Sequence, residues 1–142
     1  MNPAGVIFDI DGVLVDSYHA HYESWCALAA EAKLEFTQER FAETFGRTSR
    51  EILELYWPGR FSAAEISQLD DRKEALYRAL IAKRFPAMPG AERLLTELAE
   101  AGFHLGLGSS GPPENVELVV RHFGPERFGA VITGRDVTRG KP

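Results

Sequence analysis

Residues 5–12 read Gly-Val-Ile-Phe-Asp-Ile-Asp-Gly, and this stretch decides the fold. Its β-branched and aromatic beginning predicts a strand that is buried on both faces of a parallel sheet. Asp9 and Asp11 follow directly, at the carboxyl end of the strand, where open α/β sheets build their sites. If both residues are extended, their side chains point the same way and can share one metal ion or substrate. Gly12 allows the backbone to turn and to approach a ligand closely.

An Asp-x-Asp pair taken alone also fits a blander structure, in which one carboxylate caps a turn and the other is solvated. The wider sequence has to decide between the two interpretations.

Helical patterns follow this first strand. Apolar residues recur at helical spacing over residues 16–33, and Thr37 begins a second helix with a hydrophobic staple. Capping-box sequences at residues 48–51 and 62–65 predict two more helices, the second running to about residue 84.

Strands and helices alternate in the rest of the chain, after an interruption by prolines and glycine at residues 86–90. The predicted elements are a helix ending before Gly102, a strand over 103–108, a helix starting near Pro112 and a strand over 130–133. This order predicts an α/β core interrupted by a helical insertion. The expected domains are a first part of the core (1–15), the insertion (16–88) and a second part of the core (89–142).

Composition excludes several classes of partner. The formal net charge of −5 disfavours binding to nucleic acid or to a membrane surface, because both are polyanions. We expect no signal peptide and no membrane span, since the apolar runs are only a few residues long. The single cysteine, Cys26, has no disulfide partner within the chain, which favours the reducing cytoplasm. The oligomeric state is left open.

Residues 9–17 read Asp-Ile-Asp-Gly-Val-Leu-Val-Asp-Ser and resemble the first motif of the haloacid dehalogenase superfamily. The resemblance is to its subfamily of phosphatases and β-phosphoglucomutases with a helical cap. It extends to a helical insertion after this motif, a second strand ending in Ser109, and a Gly-Lys-Pro sequence at 140–142. The resemblance implies a Rossmann-like parallel-sheet core with the cap inserted after the first strand. It also places the family's acidic fourth motif beyond residue 142, so we expect the C-terminal strands of the core to be missing here.

The resemblance implies a role for each carboxylate. Asp9 would be the phosphoryl-accepting nucleophile and would ligate Mg²⁺ through its side chain. Asp11 would be the general acid and base and would ligate the ion through its backbone carbonyl. Enzymes accelerate phosphate monoester hydrolysis by up to about 10²¹, whereas one acid or base supplies about 10²–10⁴, so several groups must act together.

Four residues are expected to bind the phosphate: Gly12, Ser109, Ser110 and Lys141. The family resemblance assigns the transferring phosphoryl group to Ser109 and Lys141. Taken singly, Ser109 also fits a cap of the next helix and Lys141 a solvated side chain. The two interpretations of Ser109 are compatible, because a hydroxyl and backbone N–H groups at a helix start form an anion site.

His21, Arg50 and Lys73 match cap positions that β-phosphoglucomutase-like proteins use near the active site. Without the resemblance, the histidine fits a partly buried helix position and the two cations fit a solvated face. Residues 111–113 read Gly-Pro-Pro where mutases carry polar and basic residues, which favours a phosphatase over a mutase.

The sequence therefore predicts a Mg²⁺-dependent phosphatase that hydrolyses a small phosphorylated metabolite through an aspartyl-phosphate. Two alternatives stay open: phosphoryl transfer like that of β-phosphoglucomutase, and an incomplete, inactive domain that only binds a ligand or partner. The identity of the metabolite is not predicted.

Overall fold

The computed structural model describes residues 4–139, which form two compact units. The first unit is made by the chain up to Ser17 and from Phe85 onward, and the second by Tyr18–Arg84. The insertion expected over residues 16–88 encloses the second unit, and its role as a cap remains a prediction.

The described chain alternates strands and helices in the first unit and is helical in the second. In chain order the elements are β1 (Gly5–Phe8), α1 (Tyr18–Ala32), α2 (Gln38–Thr44), α3 (Ser49–Tyr56), α4 (Ala63–Lys83), α5 (Ala91–Glu100), β2 (His104–Gly108), α6 (Pro113–Phe123), a 3-10 turn (Pro125–Arg127) and β3 (Phe128–Ile132). The sequence did not predict the 3-10 turn. No helix within residues 4–139 is both long enough and apolar enough to cross a bilayer.

The three strands form one sheet in the order β1-β2-β3, and both pairs are parallel. The predicted parallel α/β core is thus confirmed. A parallel pair needs a crossover connection, and here α6 lies between β2 and β3 in the sequence. The connection from β1 to β2 contains α5 and the whole second unit.

The core of the first unit lies on one face of this sheet. Its buried apolar residues are Phe8, Ile10, Leu14, Val15, Ala91, Leu95, Leu105, Leu107, Val116, Val119, Phe123 and Phe128. Because α5 and α6 both contribute to this cluster, the other face of the sheet stays bare in the described residues. Ile7, which points to that face, is 80% exposed. The prediction that the first strand is buried on both faces is therefore wrong for these residues.

The chain leaves the three-stranded unit and returns to it at paired positions. Val15 forms an antiparallel bridge with Ala87. The Asp16 N–H donates to the Pro86 carbonyl at 2.8 Å. The two ends of the insertion are thus held together by backbone hydrogen bonds of the first unit.

Local capping explains where the helices of the second unit begin. Thr37 is the N-cap of α2, as predicted, and its hydroxyl accepts from the Arg40 N–H. Both predicted capping boxes are present at the starts of α3 and α4. In the first box, hydrogen bonds from the Thr48 N–H and hydroxyl lower the pKa of Glu51, so this carboxylate is charged at the positive end of the helix dipole.

An aromatic core joins these helices. Its fully buried members are Trp25, Leu28, Phe41, Ile52 and Leu53, from α1, α2 and α3. The rings of Phe36 and Phe41, the predicted staple before and inside α2, have centroids 6.4 Å apart.

Two adjacent leucines on α5 provide a test of the one-sided core. Leu95 is fully buried, whereas Leu94 is 44% exposed. We expect Leu95→Ala to destabilise the first unit by about 2–5 kcal/mol through the cavity that it creates. Leu94→Ala should change stability by less than about 0.5 kcal/mol. Urea unfolding followed by far-ultraviolet circular dichroism measures both, and equal midpoints for the two variants would contradict the packing described.

Candidate active site

Three strand ends lie at one edge of the sheet. Since β1, β2 and β3 are parallel neighbours, their carboxyl ends point the same way. The first residues beyond them are Asp9, Ser109 and Thr133. Adjacent strands are about 4.8 Å apart, so these residues follow one another along the edge. The sequence predicted Asp9 and Ser109 at this edge, but assigned Thr133 to the strand.

A tight turn directly after β1 carries the two aspartates. Ile10 between them is buried, and its carbonyl accepts three backbone hydrogen bonds, at 3.0–3.1 Å, from the N–H groups of Val13, Leu14 and Val15. The Asp9 Oδ1 accepts from the Ile10 N–H at 2.8 Å, which fixes the orientation of this half-buried carboxylate. Gly12 has a φ of +76°, in the left-handed region that favours glycine, as the predicted turn requires.

Ser109 is held by the backbone on both sides of the loop after β2. Its N–H donates to the Ile132 carbonyl at 3.0 Å, and its Oγ accepts from the Gly111 N–H at 3.0 Å. The side chain therefore closes its own turn and does not cap α6. The N-cap of α6 is Pro112, which makes no side-chain hydrogen bond to the helix. Ser109 is buried, whereas the neighbouring Ser110 is exposed.

Lys141 lies outside the described residues. Within residues 4–139 there is no group of three or more His, Cys, Asp or Glu side chains that could hold a metal ion. The turn after β1 contributes two carboxylates, Asp9 and Asp11, two residues apart.

The second unit contains a buried lysine network, formed by His21, Ser49, Lys73 and Glu74. The Lys73 Nζ lies 2.7 Å from the His21 Nδ1 and 3.0 Å from the Glu74 Oε1. The Ser49 hydroxyl donates to the same Glu74 oxygen at 2.7 Å. A charged Lys73 ammonium has only donors and would pair with the Nδ1 lone pair of a His21 ring that is protonated at Nε2.

Aromatic rings enclose this network. The His21 ring stacks on Tyr77, with centroids 3.9 Å apart and planes 2° from parallel. The Lys73 Nζ lies 5.4 Å from the centroid of Tyr77 and 6.0 Å from that of Trp25. Lys73 is only 3% exposed, so the solvated-face interpretation of this lysine is wrong.

Arg50, the third predicted cap residue, is exposed and adjoins the same region. Burial raises the pKa of the Asp70 carboxyl above its usual range, and the nearby Glu74 carboxylate raises it further. The Arg50 guanidinium acts in the opposite direction. The structure thus brings His21, Arg50 and Lys73 to one part of the second unit.

Sequence reasoning missed the acidic members of this region. Asp70, Lys73, Glu74 and Tyr77 occupy one face of α4, at spacings of three, four and seven residues from the first. The helical spacing of these residues was present in the sequence. It was missed because most of them are charged, and a search for recurring apolar residues passes over them.

The chain is similar to known proteins over almost its whole length. Residues 3–142 match the family of haloacid dehalogenase-like hydrolases. The β-phosphoglucomutase of Bacillus subtilis is 31% identical over 145 residues, which cover 96% of this chain and 63% of that protein. A phosphoglycolate phosphatase of Cereibacter sphaeroides is 30% identical and is covered over 66% of its length. The chain therefore spans about two thirds or less of these relatives.

Solved structures agree on the fold. The crystal structure of β-phosphoglucomutase from Clostridium difficile matches 99% of this chain with a TM-score of 0.83 and 26% identity, over 66% of its own chain. CbbY from Rhodobacter sphaeroides in complex with phosphate matches with a TM-score of 0.84 at 22% identity, which supports the fold alone.

Two adjacent cations on α4 test the lysine network. Lys73→Met removes the ammonium but leaves Glu74 largely buried without its cation, so we expect the second unit to lose about 3–5 kcal/mol. Arg72→Met is the matched control, because this side chain and its partner Glu31 are both exposed. Its unfolding midpoint should hardly change. Both tryptophans, Trp25 and Trp57, lie in the second unit, so their fluorescence measures its unfolding. Equal midpoints for the two variants would refute the network.

Proposed function

The chain belongs to the family of haloacid dehalogenase-like hydrolases, and we propose that it acts as a Mg²⁺-dependent phosphatase on a small phosphorylated metabolite. The observation that carries the proposal is the placement of Asp9, Asp11 and Ser109 at one edge of a parallel sheet. Two carboxylates next to a hydroxyl supply a nucleophile, a proton donor and a phosphate ligand.

The proposed reaction has two steps. An oxygen of the Asp9 carboxylate attacks phosphorus, the bond from phosphorus to the substrate oxygen breaks, and Asp11 donates a proton to that oxygen. Water then attacks the phosphorus of the aspartyl-phosphate, Asp11 takes a proton from this water, and inorganic phosphate leaves with the Asp9 carboxylate restored. The hydrogen bond from the Ile10 N–H to Asp9 Oδ1 supports the role of Asp9, because it restricts the rotation of the nucleophile.

Donors for the phosphate oxygens would come mainly from the loop after β2. We assign this role to the Ser109 hydroxyl, to the Ser110 backbone N–H and to Lys141. Gly12 would line the phosphate site without donating to it, because its N–H already donates to the Val15 carbonyl at 2.9 Å. The start of α6 adds little to this set, because Pro112 and Pro113 have no N–H and the Asn115 N–H donates to the Pro112 carbonyl at 3.0 Å.

The donor set at the strand ends suits Mg²⁺. This ion takes oxygen ligands and is usually held by one or two carboxylates, with waters and substrate phosphate completing its shell. The Asp9 side chain and the Asp11 backbone carbonyl would hold it, so Asp9 would supply the carboxylate ligand from residues 4–139. When bound, the ion would neutralise charge on the phosphate.

Substrate selection is assigned to the second unit. His21 and Arg50 would contact the part of the metabolite that is not transferred, and the buried Lys73 would hold the His21 ring for this contact. The lysine network supports this, because its hydrogen bond and ring contact fix the side chains of His21 and Lys73. On the surface of a helix such side chains usually rotate freely.

A second candidate function is a mutase reaction, in which the phosphoryl group is transferred to another position of a sugar phosphate. The similarity to two β-phosphoglucomutases favours it. The Gly-Pro-Pro sequence at 111–113 argues against it, because these residues offer no side-chain donor for a second phosphate.

Replacement of each aspartate tests the chemistry. Asp9→Asn should abolish turnover and prevent a covalent phosphoprotein, since an amide is a poor nucleophile. Asp11→Asn should slow both formation and breakdown of the intermediate by about 10²–10⁴. The control is Asp71→Asn, on an exposed position of α4. Single-turnover kinetics with mass spectrometry of the protein measures all three, and substantial turnover by Asp9→Asn would exclude this residue as the nucleophile.

A metabolite panel separates the candidate functions. The purified chain is assayed with phosphoglycolate, sugar phosphates and nucleotides, with and without Mg²⁺. We expect release of inorganic phosphate that requires the ion. Isomerisation of a sugar phosphate without phosphate release would favour the mutase instead. Binding of these compounds without either reaction would favour a binding domain.

A further inference from the structure

We infer that Asp136 is a positioning residue for the phosphate-binding loop at Ser109, acting through the backbone of Gly134 and Gly111. The inference rests on the proposed function of Ser109. It concerns residues 133–136, a segment after β3 to which neither the sequence motifs nor the proposed chemistry assigns a role.

The loop after β3 is a turn closed by Asp136. The Thr133 N–H and the Thr133 hydroxyl both donate to the Asp136 Oδ2, at 2.7 and 2.8 Å. In return the Asp136 N–H donates to the Thr133 carbonyl at 3.0 Å. These donations lower the pKa of the Asp136 carboxyl, so it is ionised at neutral pH and its hydrogen bonds are charge-assisted.

The closed turn docks on the loop that follows β2. The Gly134 N–H donates to the Gly111 carbonyl at 2.9 Å. The approach is so close that a Cβ on residue 134 would clash with the Ser110 carbonyl, and only glycine fits. The conformation that Asp136 imposes on its turn therefore sets the position of the neighbouring loop.

Gly111 transmits this position to the serine. Its carbonyl is held by Gly134, and its N–H donates to the Ser109 Oγ at 3.0 Å. A hydroxyl has one donor and two acceptor positions. With the Oγ already accepting from Gly111, the hydroxyl proton is directed away from that N–H and can donate to an anion. Disorder in the Asp136 turn would release Gly111 and let the Ser109 hydroxyl rotate.

The same loop offers a matched control. The Arg135 side chain forms an ion pair with Glu114, at 3.0 Å, and the side chains are 71% and 47% exposed. Arg135→Ala removes this contact between the loop and α6, but leaves the hydrogen bonds to Asp136 in place. This control distinguishes a general loss of contact between the loop and α6 from the loss of the hydrogen bonds that run through Thr133 and Gly134.

The experiment compares Asp136→Ala, Asp136→Asn and Arg135→Ala in the full chain, at a temperature where circular dichroism confirms folding. Backbone amide shifts measured by NMR report on Gly111 and Ser109, and calorimetric titration with inorganic phosphate gives its affinity. We expect Asp136→Ala to shift both amides and to weaken phosphate binding by about two- to tenfold, as for loss of a hydrogen bond. Asp136→Asn should restore most of both, because its side-chain oxygen accepts the same two bonds. Arg135→Ala should match the unchanged protein.

If Asp136→Ala prevents folding, Thr133→Val and Thr133→Ser replace it, and only the valine variant should weaken phosphate binding. Three outcomes would overturn this inference but leave the proposed function standing: unshifted amides in Asp136→Ala, unchanged phosphate affinity in that variant, or an equal loss of affinity in Arg135→Ala. Failure of Asp136→Asn to restore binding would do the same. If the unchanged chain binds no phosphate, the proposed function fails and takes this inference with it.

Discussion

Parallel pairing of three strands is the constraint on which the rest of the first unit depends. Because parallel neighbours run in the same direction, the residues that follow them meet at one edge, however far apart they lie in the sequence. Asp9 and Ser109 become neighbours in this way, although the whole second unit lies between them along the chain. Helices α5 and α6 follow from the same constraint, since each parallel connection has to cross over the sheet.

The second unit is organised around a charge in its interior. A lysine can be buried at tolerable cost only when its donors are satisfied, and Lys73 meets this condition with His21, Glu74 and two aromatic rings. An apolar residue of similar size would fill the same space without such partners. The hydrogen bonds of Lys73 to His21 and Glu74 therefore fix the rotamers of these side chains, which packing alone does not determine.

The sequence predicted the features that are encoded locally. The capping boxes at Thr48 and Ser62 depend on residues three apart, and both helices begin where these signals place them. The Asp-x-Asp motif likewise fixed the end of β1. The bare side of Ile7 was not predictable, because it depends on which face the distant helices cover. The burial of Lys73 could not be predicted, because it depends on the packing of α1 against α4. The turn closed by Asp136 could not be predicted either, because β3 ends at Ile132, one residue before the end that the sequence indicated.

The bridge between Val15 and Ala87 has a consequence for how such proteins diversify. Because the insertion begins and ends at residues that are joined by backbone hydrogen bonds, its length has little effect on the first unit. In a simple polymer estimate, doubling a flexible loop raises the closure free energy by only about 0.6 kcal/mol. Inserted segments of different length are thus compatible with the same two end points, Val15 and Ala87. Asp9 and Ser109 keep their places at the strand ends whichever segment stands between these two points.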